Sequence, residues 1–228
     1  FGRLSARNRR RLIPVGAAAG IAAAFNAPIA ALTFTIEEVV GNLDQTVLSG
    51  VIVAAALAAV IERSVLGIHP VFSVPRVFGL DDWRSLLLYA ALGLAAGLLS
   101  VLFTDSLLSL RRRFRAQKRI PDWAQPAIGG LVTGALAVAA HYWLGVGGVN
   151  GGGYRVVENS LSGLLPLRVL LVLCLAKLVA TVFSYSSGGA GGIFAPSLFM
   201  GAMLGGSFGA LDRAVFGHGP EAMGAFAL

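Results

Sequence analysis

Apolar residues in this chain come in long continuous runs, separated by short polar or glycine-rich connections. A helical bilayer crossing takes about 20 mostly apolar residues. The runs at 12–36, 43–61, 83–110, 124–146 and 167–185 meet or approach that length, and a further one resumes after a break and reaches Phe216. The first is interrupted by Asn26-Ala27-Pro28. Proline lacks a backbone donor and disfavours helix in the residue before it, so two shorter helices with a break near Phe25 are predicted. The 83–110 window is too long for a straight crossing and predicts a tilted helix. A polar, proline-bearing connection at 62–82 and a glycine-rich one, GVGGVNGGGY, ending at Tyr154, separate neighbouring runs, and the chain closes on AMGAFAL in a further apolar segment. The stretch SSGGAGGIFAP at 186–196 cannot be a continuous helix. An unpaired backbone group in hydrocarbon costs several kcal/mol, so irregular backbone at membrane depth implies an enclosed cavity or pathway and marks a candidate binding site.

Composition supports the bilayer as solvent. Of the 228 residues, 56% are hydrophobic and 13% charged, with a mean hydropathy of +0.78, whereas an ordinary soluble domain is roughly a quarter charged. No soluble domain is predicted. Opening on Phe1 and closing inside an apolar run, the chain reads as a piece of a longer protein, without a cleavable signal peptide. The net charge of +7 is gathered at 7–11 and 111–119, which favours lipid headgroups over nucleic acid as the partner. Strict counting of spans puts these runs on opposite sides, so charge does not set the topology. The single cysteine, Cys174, lies in an apolar run and reads as a small buried hydrophobe. Pairs of small residues such as Gly93 with Gly97 and Gly201 with Gly205 let helices approach closely.

Two segments carry candidate chemistry. In Gly191-Gly192-Ile193-Phe194-Ala195-Pro196 the glycines permit unusual backbone, and Pro196 suits the first turn of a new helix. The N–H groups at Ile193 and Phe194 lie outside that helix's own ladder, at the positive end of its dipole, which makes an anion site. The dipole contributes about 0.3 to 1 kcal/mol, up to ~2 when partly buried, so binding should be weak and exchangeable, as transport requires. No Lys-Ser/Thr pair follows, which argues against a phosphate loop. The second segment is Glu37-Glu38, at the end of the first broken hairpin; a carboxylate there is either a proton relay or an ordinary interfacial pair. Lys177, in the body of its run, would offset carboxylates, attract an anion or pair within the bundle. Asp105 and Asp212 are predicted near span ends. His69, His141 and His218 show no ligand spacing, so no metal site is assigned, and the absence of a Ser-His or Cys-His set argues against an enzyme.

GAAAGIAAAFNAPIAALTFTIEE (16–38) followed by SSGGAGGIFAP (186–196) resembles the CLC family of chloride channels and chloride/proton exchangers, in register over essentially the whole chain. The resemblance implies an all-α integral membrane protein, a CLC-type inverted-repeat bundle with broken helices, of which this chain is the middle. The end of the first repeat falls at about 1–65 and the start of the second at about 83–228. It also implies a homodimer with one anion pathway per subunit, chloride and protons as the transported species and no cofactor. By the same resemblance the backbone amides of Ile193 and Phe194 hold chloride, supported by Gly191, Gly192 and Pro196. Exchangers carry a glutamate at the position of Glu38 and many channels a valine, so Glu38 is implied as the proton-transfer residue; Glu37 receives no transport role. The family's serine motif and gating glutamate would precede Phe1 and its pore tyrosine would follow Leu228, so anion preference is not read from this chain and the chain alone should not transport. The expected function is chloride/proton antiport. The alternatives are a passive CLC channel and a non-transporting membrane scaffold, the second disfavoured by the broken helix. The alanine- and arginine-rich composition points to a bacterial inner membrane.

Overall fold

A computed structural model describes residues 5–41, 45–67, 72, 83–117 and 119–228. They fall into two compact units, Phe1–Val71 and Phe72–Leu228. Helix and loop make up the described residues, with no strand among them.

In the first unit α1 (Ala6–Phe25) and α2 (Pro28–Phe34) are separated at the expected break, and a six-residue π-helical segment, Thr35–Val40, continues α2. Asn26 adopts a left-handed φ of 48°, and Pro28 opens α2 at the position where its missing donor is not needed. Helix α3 (Gln45–Leu66) packs against α1. Its Val47, Val51 and Ala55 recur every fourth residue and are buried, as are Ala18 and Ala22 of α1. Residues four apart share a helix face, so this is a seam between small side chains. Arg63 in the last turn of α3 donates through Nε to Asn26 Oδ1 at 2.7 Å, tying α3 to the break.

The second unit is built around α7 (Leu167–Ser186) and α8 (Phe194–Phe216). Helices α4 (Ser85–Ala116) and α5 (Gln125–Leu144) pack on α7, while α6 (Tyr154–Leu161) and α9 (Pro220–Ala227) pack on α8. Leu170, Leu173, Phe199 and Met203 are buried at the centre. Hydroxyls bridge the helices: Thr133 donates to the carbonyl of Ala180 at 3.2 Å, Ser160 to Ala202 at 3.1 Å and Ser186 to Leu107 at 3.1 Å. Cys174 is buried, as expected, its thiol 3.7 Å from the Met200 carbonyl.

Among the described residues five helices, Val47–Leu66, Ser85–Ala116, Gln125–Leu144, Leu167–Ser186 and Phe194–Phe216, are long and apolar enough to cross a membrane. Helices α4 and α5 leave large apolar side chains such as Leu94, Leu98, Leu131 and Val138 exposed. Trp83 and Trp123 stand exposed just before α4 and α5, and Tyr142 and Trp143 at the end of α5. Aromatics at span ends with aliphatics between them suit lipid tails flanked by headgroups.

Several boundaries differ from the sequence expectation. Helix α3 runs five residues beyond Ile61, because Arg63 has a partner and the turn closes only at Gly67, with φ 90°. Helix α4 takes in most of the basic run that had been expected as a connection, since arginine is a good helix former and favours a helix C-terminus. The remainder of the 62–82 connection (68–71 and 73–82), Leu43, Asp44 and Lys118 lie outside the described residues, as does His69. Helix α6 went unpredicted. Of the small-residue pairs, only Gly205 meets a neighbour, the backbone of α9 at Phe226; Gly93, Gly97 and Gly201 have open space about them within the chain.

Gly209, set against the backbone of α9, offers a test of this packing. A Cβ there would lie 2.5 Å from Met223 Cα, and overpacking of this kind costs about 1–3 kcal/mol. Gly209→Ala is therefore expected to lower the thermal midpoint of the detergent-solubilised whole protein. Gly201→Ala, facing open space, should change stability by less than about 0.5 kcal/mol.

Candidate functional site

Helix α7 ends at Ser186, and the chain passes through Gly188, whose φ of 90° suits glycine alone, before Gly191 and Gly192 lead into α8 without helical structure. Ile193 is the N-cap of α8 and Phe194 its first residue, with Pro196 in the first turn as expected. The Ser197 hydroxyl and backbone N–H both return to the Ile193 carbonyl, at 2.8 and 3.0 Å, so the turn is closed on its own side. Gly191, Gly192, Ala195 and Pro196 form part of the wall of a cavity of about 440 Å³. The structure thus brings Gly191, Gly192 and Pro196 to one cavity, while Ile193 and Phe194 stand beside it, outside its wall, with side chains about half exposed.

Lys177 of α7 and the glycine-rich loop at 149–152 also line the cavity, with Thr181 and Tyr185 among its hydroxyl-bearing residues. Lys177 is buried and donates to three backbone carbonyls, those of Gly148, Val149 and Gly151. Of the readings open for Lys177, the structure supports pairing within the bundle, with carbonyls as partners in place of carboxylates. Arg111 of α4 lies over the Tyr185 ring at 5.0 Å, a cation–π contact that ties the basic end of α4 to this wall.

Glu37 and Glu38 lie in the π-helical segment of the first unit, and both are exposed within the chain. The segment closes at Gly41, φ 68°, whose N–H reaches back five residues to the Ile36 carbonyl at 3.0 Å. Thr35, its first residue, is fully buried, with Oγ1 lacking a hydrogen-bond partner among the described residues. Single-turn π segments are rare and frequently mark functional positions.

Asp105 is exposed on α4, short of its basic end, and His141 lies in the last turn of α5. Asp212 does fall near the end of α8 but is completely buried. It accepts a hydrogen bond from Ser85 Oγ at 3.0 Å and pairs with His218 Nδ1 at 2.8 Å, closing the base of the unit. That grouping was missed from the sequence, where only the six-residue step from Asp212 to His218 could have hinted at it.

The family model described as voltage gated chloride channel matches residues 1–228, the whole chain. The chain belongs to this family. Among the relatives of this chloride channel family member, a ClcB-like protein of Ralstonia nicotianae, named for a chloride channel, is 37% identical over 202 residues, covering 89% of the chain and 45% of the relative. The H(+)/Cl(-) exchange transporter ClcA of Cronobacter sakazakii is 33% identical over 230 residues, covering 100% of the chain and 48% of the relative. A crystal structure of a CLC-type fluoride/proton antiporter superposes with a TM-score of 0.65 at 29% identity, covering 95% of the chain and 52% of that protein. The chain spans about half the length of the curated relatives it matches. Family membership and five apolar helices of crossing length make it part of an integral membrane protein.

Proposed function

We propose that the whole protein carrying this chain exchanges chloride for protons across a bacterial inner membrane. The anion is held by the backbone amides of Ile193 and Phe194 at the start of α8, with Gly191, Gly192 and Pro196 shaping the approach, and Glu38 transfers the proton. The observation that carries this reading is the cavity set against Gly191, Gly192 and Pro196, lined by one cation and several hydroxyls. A helix N-terminus facing such a space offers donors and a positive dipole end to an anion. The glutamate at position 38 and the relatives named as exchange transporters favour coupling to protons. The two units are the end of one inverted repeat, about 1–65, and the start of the next, about 83–228. The protein works as a homodimer embedded in lipid, its transported ligands being chloride and protons, with no cofactor.

Flux of both ions through liposomes, with the two gradients set independently and voltage clamped by ionophore, tests this. Proton movement uphill, driven by a chloride gradient, is expected. Chloride flux without coupled protons would support the second reading, a passive channel, which the name of the Ralstonia relative favours. A fluoride gradient applied in the same way asks whether the anion is that of the structurally similar antiporter.

A further inference from the structure

The cavity lined by Gly191 and Gly192 also holds a feature that anion binding at the start of α8 alone does not require. Three carbonyl oxygens converge on Lys177 Nζ, from Gly148 and Val149 at 3.1 Å each and from Gly151 at 2.5 Å. An ammonium has three N–H donors, so this tripod uses all of them. The loop is shaped for it: Gly148, Gly151 and Gly153 have φ of 113°, 62° and 69°, conformations that L side chains rarely adopt. Its other side is closed by Phe199 of α8, whose ring lies 4.9 Å from Nζ and stands where a Cβ on Gly153 would have to go. Carbonyl dipoles carry no net charge, and among the described residues no carboxylate pairs with Lys177. The ammonium of Lys177 therefore has no counter-charge there, and among the described residues Lys177 is the one Lys, Arg, Asp or Glu in the cavity lining.

We infer that Lys177 is a positioning residue for the anion pathway: it occupies three loop oxygens that would otherwise present their negative ends to an anion, and leaves an uncompensated positive charge in the wall. It acts through the loop and its field. A hydrogen bond from Lys177 to the anion would require giving up a carbonyl. In a partly desolvated wall the field of a unit charge is much less screened than in water. This inference rests on the reading that an anion binds at the start of α8.

The test is chloride binding by isothermal titration calorimetry and chloride efflux from liposomes, on the whole protein and its Lys177→Met, Lys177→Gln and Lys177→Arg variants, each checked for a monodisperse folded state. The two neutral variants are expected to bind chloride at least about tenfold more weakly, and Lys177→Arg to stay within about tenfold of the parent. Folded neutral variants with parental chloride affinity and a lowered thermal midpoint would overturn the inference, leaving Lys177 a structural tie only. Where neither neutral variant folds, Lys177→Arg decides: affinity within about tenfold upholds the assignment, and a larger loss in a folded protein ends it. If the parent itself binds no chloride, the anion reading at α8 fails first and the inference falls with it, an outcome distinct from a parent and variants that bind equally.

Discussion

Glu38→Gln in the whole protein is expected to abolish proton movement driven by a chloride gradient while chloride still passes. Glutamine keeps the size and hydrogen-bonding reach of the side chain but cannot release and retake a proton. Removing a positioned proton carrier should cost about 100-fold or more in proton flux. The measurement is pH change inside liposomes under an outward chloride gradient, read beside chloride efflux from the same vesicles. Glu37→Gln, one residue earlier on the same exposed turn, is expected to leave both fluxes intact. Undiminished proton movement in Glu38→Gln would refute the role assigned to that residue.

The second large effect is on the anion. Among ordinary substitutions only proline removes a backbone donor, and it also locks φ; replacing Ile193 by its α-hydroxy acid turns the amide into an ester and deletes one N–H at the N-cap of α8 while keeping the side chain. A hydrogen bond to a charged group contributes about 1.5–3 kcal/mol, so chloride binding should weaken by about 10- to 150-fold. The same replacement at Val172, in the body of α7, removes an intrahelical bond and is expected to leave chloride affinity unchanged while lowering stability by about 1 kcal/mol. Equal chloride affinity in the parent and the residue-193 ester would remove that amide from the site.

What was legible in the sequence follows from the range of the interactions involved. The break at Asn26-Ala27-Pro28 and the irregular approach to α8 were readable because proline and glycine act on their own backbone, independently of tertiary contacts. The apolar runs gave the crossing helices because in lipid an uninterrupted helix is the only cheap way to pair every amide. Helix α6 was invisible to that logic: eight residues with charged Arg155 and Glu158 form no apolar run, and it is held by burying Val156, Val157 and Leu161 against its neighbours. The extension of α4 through Arg111–Arg113 was missed because the run was read as charge and not as helix propensity. Lys177 was noticed, but its partners are loop carbonyls 26 to 29 residues away, which no spacing rule encodes. The Ser85–Asp212 hydrogen bond spans 127 residues and is equally silent in sequence.

The π-helical turn at Thr35–Val40 makes the bearing of a side chain a matter of counting. Successive residues of an α-helix are separated by about 100° around its axis, and a π turn absorbs one residue more than an α turn for the same closure. Converting this segment to an ordinary α-helix with all six residues kept would swing the Glu38 carboxylate by roughly a quarter turn, whereas deleting one residue ahead of Glu38 at the same time would largely restore its bearing. With two glutamates in tandem, a one-residue slip changes which of them faces a given direction without altering the chemistry of either. Insertions and deletions in these six positions are thus a route, separate from point substitution, by which members of this family could gain or lose a correctly aimed carboxylate.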